Sequence, residues 1–188
     1  KEGFAVVATD YEGLGVAGPH FLINVPMLGY SILDSGRAAL KSKLPLANKF
    51  VIVGQSQGGA GAVAASSYSA TYAPDLNIKG SIGTGVIYKD PEAKPEDNNL
   101  KLNPFEVSPS LAYGIYGFLV TQNLYPEVKT EDIFKPAAFP LIEQAKTTCL
   151  SSFTGDIQHA GLSPAAAYQS NPPAYYKQLQ EKQDQDYG

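Results

Sequence analysis

The stretch "KFVIVGQSQGGAGAVAASS", residues 49 to 67, constrains the fold more than any other part of the chain. "FVIV" is an apolar run of the kind buried inside a parallel sheet, and the small-residue segment behind it reads as a helix. Between the two, Gly54-Gln55-Ser56-Gln57-Gly58 spells G-x-S-x-G. A strand that turns sharply into a helix holds such a serine in a strained conformation with its hydroxyl exposed. Small residues two before and two after it are expected to let the backbone close, with Gly59 and Gly61 allowing the helix to lie against neighbouring strands.

The position also supplies electrostatics. A helix N-terminus carries free N–H groups and a dipole that favours developing negative charge. The N–H of Gln57 is the expected donor to a tetrahedral oxyanion, an interaction whose loss costs about 3 kcal/mol of barrier. Ser56 is therefore the candidate nucleophile. The bland alternative is a chance glycine-rich loop, which the strand before and the helix after argue against.

The flanking sequence extends the pattern. "FAVVAT" from Phe4 reads as a buried strand, "GYSILDSGRAALKSKL" has helical spacing, and "IKGSIGTGV" makes a third strand. On that helix Asp34 and Arg37 stand three apart and can pair. Residues 4 to about 87 thus read β-α-β-α-β, the signature of a parallel sheet with covering helices. "KEG" reads as the last turn of a helix with Gly3 as its stop, so the expectation is a piece of a longer chain.

From Lys89 a polar, proline-punctuated loop gives way to "SPSLAYGIYGFLVTQNLYP", a helix that Ser108 can cap and Pro109 can start. Thr130 is a second cap, with acids directly after it, and Pro136 and Pro140 must break or kink the helix it starts. The polar tail is expected to fray.

Composition narrows the function classes. With 44% hydrophobic residues the 188-residue chain is globular, and Gly 18 with Pro 14 implies many turns. The net charge is −4 and the basic residues are scattered, which leaves no footprint for nucleic acid. No apolar run approaches the roughly 18 residues of an integral membrane segment. The single Cys149 excludes an internal disulfide and any CxxC motif; it is expected as a small buried hydrophobe, the alternative being a bond to a cysteine outside these residues. Two scattered histidines build no metal site, "GQSQGG" lacks the lysine of a phosphate loop, and no cofactor is implied.

"VVATDYEGLG" is the other informative stretch. Thr9-Asp10-Tyr11 ends the first expected strand, where an open parallel sheet places its site. The backbone there can supply a second oxyanion donor, or Asp10 can simply cap a turn.

Taken together, T-D-Y-x-G-x-G, the D-x-x-R helix, G-x-S-x-G-G and "YAPDLNI" resemble the secretory lipase family, the fungal lipase-A type of α/β-hydrolase with its bacterial esterase relatives. The resemblance spans residues 2 to about 87 and implies a partial α/β-hydrolase, plus a mostly helical cap. The expected division is a core segment over residues 1–88 and a cap or lid over 89–188. It further implies a secreted or periplasmic enzyme that cleaves small-molecule or lipid esters with a Ser-Asp-His triad. Ser56 maps onto the nucleophile, and Asp10 onto the acidic residue at the oxyanion hole. Gln57 stands where the best-known member has Gly, a difference a backbone donor tolerates. Tyr11 and His20 are candidate substrate-binding residues, simple exposure being the other reading of His20.

The triad's acid and base are harder to find. Chain order in this fold is Ser, acid, His, so His20 comes too early. His159, with Asp156 three residues before it, has the right order but sits within the expected cap. The simplest account places acid and base in a further part of the same polypeptide, with which these residues would associate. Two other functions stay open: transfer of the acyl group to an alcohol or amine, as in an acyltransferase or peptidase, and a non-catalytic hydrolase-like binding protein.

Overall fold

Residue Asn24 starts the first helix. Its side-chain carbonyl accepts the N–H of Met27 at 3.2 Å, and Pro26 lies in the first turn of α1, Val25–Lys41. The structure, a computed structural model, describes residues 3–16, 20–22, 24–86 and 103–187. They fall into two compact units, one of Lys1–Pro91 with Tyr187–Gly188 and one of Glu92–Asp186.

In the first unit, β1 (Phe50–Gln55) and β2 (Ile78–Thr84) pair in parallel, joined by α2, Gln57–Tyr72. The register sets Phe50 beside Ile78 and Gln55 beside Thr84, with one shift after Phe50. Leu33 from α1, Ala65 and Ala73 at and after α2, and Leu76 form the buried core, against which Phe50, Ile52 and Ile78 pack. Alternation along β1 leaves Val51 and Val53 exposed on the opposite face. Fully burying a side chain such as Leu33 contributes roughly 1.5–3 kcal/mol.

Arg37 closes this unit at its edge. The expected contact with Asp34 is there at 3.2 Å, yet the stronger partner is Asp75, 2.6 Å from Nη2. The same nitrogen donates to the Tyr72 carbonyl at 2.8 Å, and the Tyr72 hydroxyl donates to Asp34 at 2.7 Å. One guanidinium thus ties α1 to the end of α2 and the turn beyond it.

The first expected strand is not formed. "FAVVAT" lies outside any strand and largely in the open, with Phe4 and Val6 among the exposed apolar residues. A groove of about 290 Å³, lined by Val6, Val7 and Thr9 and by Phe50, Ile52 and Val53, runs along β1. An apolar run becomes a strand only where a neighbouring edge accepts its backbone hydrogen bonds, and among the described residues none does.

The second unit is helical among its described residues: α3 (Ser110–Leu124), α4 (Thr130–Ile133), a 3₁₀ turn at Pro136–Ala138, α5 (Phe139–Ala145), α6 (Leu150–Ala160), α7 (Pro164–Ala167) and α8 (Ala174–Tyr187). Its core gathers Leu111, Ile115 and Phe118 of α3 with Phe134, Ile142, Phe153 and Ile157. Phe118 meets Phe134 edge-on, ring centroids 5.0 Å apart. Burial pushes the Tyr168 hydroxyl up to about 12.

Three local expectations shift. Thr130 is the first helical residue, with Lys129 as the cap, and the prolines restart the chain at the 3₁₀ turn and α5, where their missing N–H costs least. The tail, whose polar end was expected to fray, is helical as α8 through Tyr187, with Tyr176 buried near its start. Cys149 is exposed, the cap residue before α6, because the apolar face of that helix is supplied by Phe153 and Ile157. Of the loop expected over residues 89–105, residues 89–102 lie outside the described residues.

Candidate active site

Ser56 sits between β1 and α2 with φ 55° and ψ −118°, a backbone conformation that side-chain-bearing residues rarely adopt. The neighbours hold it there. Its N–H donates to the Thr84 carbonyl at the end of β2 at 2.9 Å, and its own carbonyl accepts the Ala60 N–H at 3.0 Å. The side chain makes no capping bond to the helix. Behind it, the N–H groups of the first α2 residues have no acceptor within the helix, and the dipole adds partial positive charge at the same end.

The bend is closed from one side. A β-carbon on Gly54 would lie 1.8 Å from the Gly58 carbonyl oxygen, so no larger residue fits that position. A β-carbon on Gly58 would meet nothing nearer than the Tyr11 hydroxyl at 3.9 Å. The motif's two glycines are therefore unequal, whereas the spacing had suggested that both are needed for closure. Gly59 is also tight against backbone, since its β-carbon would come 2.8 Å from the Thr84 carbonyl oxygen of β2. Gly61 faces Ile32 of α1 and Tyr11 rather than a strand.

The segment from Asp10 approaches the start of α2. Tyr11 has φ 56° and its N–H donates to Thr9 Oγ1 at 3.2 Å. Its hydroxyl lies 3.0 Å from where a β-carbon of Gly61 would sit, and burial pushes its pKa up. Asp10, the preceding residue, is exposed. His20 is half-buried, with Nδ1 2.9 Å from the Glu12 carbonyl and Nε2 3.0 Å from Gln57 Nε2. Gln57 Nε2 also donates to the Leu22 carbonyl. Beside these residues, Tyr11, Glu12, His20 and Asn24 line a cavity of about 10 Å³, room for one water.

Ser56, Gln57, Tyr11 and His20 thus gather around the first turn of α2, with Asp10 next to Tyr11 in the chain. His159 belongs to the other unit, where Nδ1 bonds the Gly155 carbonyl of its own helix at 2.9 Å; Asp156 accepts from Gln144 at 2.5 Å. The link from Gln57 to His20 had no signal in the sequence, because it joins side chains 37 residues apart with α1 and β1 between them. Among the described residues no group of three or more His, Cys, Asp or Glu could hold a metal ion, and no helix is long and apolar enough to cross a membrane.

The family model for secretory lipases matches residues 1–90, the part of the chain that holds this arrangement. Over those residues the chain is similar to secretory lipases. Lipase A of the fungus Moesziomyces aphidis is 39% identical over 94 residues, which is 48% of this chain and 19% of that protein. The crystal structure of a candidate hydrolase from Legionella pneumophila superposes with a TM-score of 0.65 at 19% identity, over 98% of this chain and 49% of the other. At that identity the likeness speaks for the fold alone, a partial α/β arrangement of parallel strands and covering helices. The chain spans 19% of the length of Lipase A and 49% of the Legionella protein. The lipase-family segment ends close to where the first compact unit does, at Pro91.

Proposed function

We propose that the protein is a secreted carboxylic ester hydrolase, a lipase or esterase working through an acyl-enzyme on Ser56. The observation that carries this reading is the backbone of Ser56, at φ 55° and ψ −118°, on a bend that only glycine at position 54 permits. Strain of this kind costs of order 1–3 kcal/mol and persists where function needs it. The Ser56 hydroxyl oxygen attacks the ester carbonyl carbon, and the resulting oxyanion takes hydrogen bonds from the N–H groups of Gln57 and Asp10. Collapse expels the alcohol, and water then attacks the acyl-serine to release the acid. Tyr11, flanking the first turn of α2, borders the substrate, a small-molecule or lipid ester.

The general base and its acid come from outside residues 1–188 in this reading. The sequence has two histidines; His20 uses both ring nitrogens on Glu12 and Gln57, and His159 is bonded within its own helix. The elbow segment, residues 1–88, then works as half of a hydrolase core, and residues 89–188 as its helical cap.

That same commitment of both histidines favours one other reading, a hydrolase-like protein that binds without turnover. A fluorophosphonate probe separates the two in protein made from the complete reading frame. Labelling that disappears in Ser56→Ala supports the hydrolase; no labelling of the unaltered protein overturns it. Hydrolysis of a nitrophenyl ester by an intact 20.0 kDa species of these residues alone would overturn the outside source of acid and base.

A further inference from the structure

We infer that His20 is a positioning residue: through the side chain of Gln57 it holds the Asp10 loop against the elbow and so sets the spacing of the two oxyanion amides. The inference rests on the reading of Ser56 as nucleophile.

The hydrogen bonds specify the state of the ring. Gln57 Nε2 donates to the Leu22 carbonyl, which can only accept, and this fixes which end of the amide faces the loop. The same nitrogen lies 3.0 Å from His20 Nε2, so that ring nitrogen is the acceptor. The Glu12 carbonyl, 2.9 Å from Nδ1, can only accept in turn, so Nδ1 carries the proton. Both ring nitrogens of His20 are thus used, one on the loop and one on α2. A continuous path therefore runs from the first residue of α2, through the imidazole, to a backbone carbonyl two residues beyond Asp10.

The loop needs such a tie. Residues 3–11 lie outside any strand, so no ladder fixes Asp10 relative to β1 or to Ser56. Within the loop, Leu14 N–H reaches the Tyr11 carbonyl only at 3.4 Å. The titratable groups that line the cavity beside His20 are Tyr11 and Glu12 on its own loop; α1 brings Asn24, Met27, Leu28 and Ser31, and α2 brings Gln57, none of them titratable. Oxyanion donors act only within about 2.7–3.1 Å of the developing charge, so a loop that drifts loses transition-state binding before it loses substrate.

The test uses full-length protein and a nitrophenyl ester. His20→Leu is expected to lower kcat about 10- to 100-fold with KM within about 2-fold. His20→Gln, whose amide can both accept and donate, is expected to recover most of that loss. Gln57→Leu added to His20→Leu should cost less than about 3-fold more, because both break one path. A kcat for His20→Leu within about 2-fold of the unaltered protein, or a change confined to KM, overturns the inference. Long-range ¹⁵N spectra of the unaltered protein give a readout independent of turnover and of variant folding: a protonated Nδ1 with bare Nε2 is expected, and the opposite tautomer overturns it. Activity that survives Ser56→Ala would instead remove the nucleophile reading itself.

Discussion

The β-carbon that Gly54 lacks would stand 1.8 Å from the carbonyl oxygen of Gly58. The closeness of these two residues is what turns β1 into α2 within a single residue and leaves Ser56 at the apex. Since both partners are backbone, no side-chain rotation can relieve a substitution at position 54.

Gly54→Ala is therefore expected to destabilise by about 3 kcal/mol or more, while Gly58→Ala stays within about 1 kcal/mol of the parent. At Gly58 the nearest atom, the Tyr11 hydroxyl, stands at an ordinary 3.9 Å. Chemical denaturation of the two variants side by side checks the asymmetry; equal losses would contradict it.

Ser56→Gly should raise stability by about 1 kcal/mol and, on the proposed role of Ser56 as nucleophile, end ester cleavage. Glycine adopts φ 55° without steric penalty, although its greater freedom when unfolded offsets part of the gain. The thermal midpoint of Ser56→Gly against Ser56→Ala reads this directly, since both lack the hydroxyl.

Asp75 predicts an acid limb. Its hydrogen bonds from Arg37 hold the carboxyl below its ordinary value near about 3.9. A depressed native pKa contributes stability that is present above the unfolded value and is lost as pH falls through the native one. The difference in thermal midpoint between the parent and Asp75→Asn should therefore be constant from neutral pH down to about pH 4, and shrink below it.

Phe118 is fully buried in the second unit, edge-on to Phe134. Phe118→Ala is expected to cost about 3–5 kcal/mol by lost burial and the cavity left behind. Urea unfolding measures it, and a loss under about 1 kcal/mol would contradict the packing.

Cys149 is exposed on the surface, so iodoacetamide should modify it fully in native protein without change in the far-ultraviolet circular dichroism. Protection until unfolding would return it to the buried role that its residue type suggested.

Some of this was written in short-range sequence. "FVIVGQSQGGAGAVAASS" contains its own strand, bend and helix because each depends on near neighbours: the apolar run, the steric demand at Gly54, and the small residues of α2. The cap at Ser108 and the break at Pro136 act within one turn, so errors there were of a residue or two, whereas the cap at Asn24 went unread. Other features depended on groups far along the chain. Whether "FAVVAT" became a strand turned on a partner edge, and the polar tail became α8 because Tyr176 found the core. Likewise Arg37 reached Asp75, 38 residues away, as well as the Asp34 beside it, and Gln57 reached His20 across 37. Sequence by itself determined where the chain bends and which serine stands at the bend, since local sterics are set by adjacent residues. Only tertiary structure decided what the side chains around that bend hold, because a hydrogen bond needs a partner in space, and spacing along the chain does not supply one.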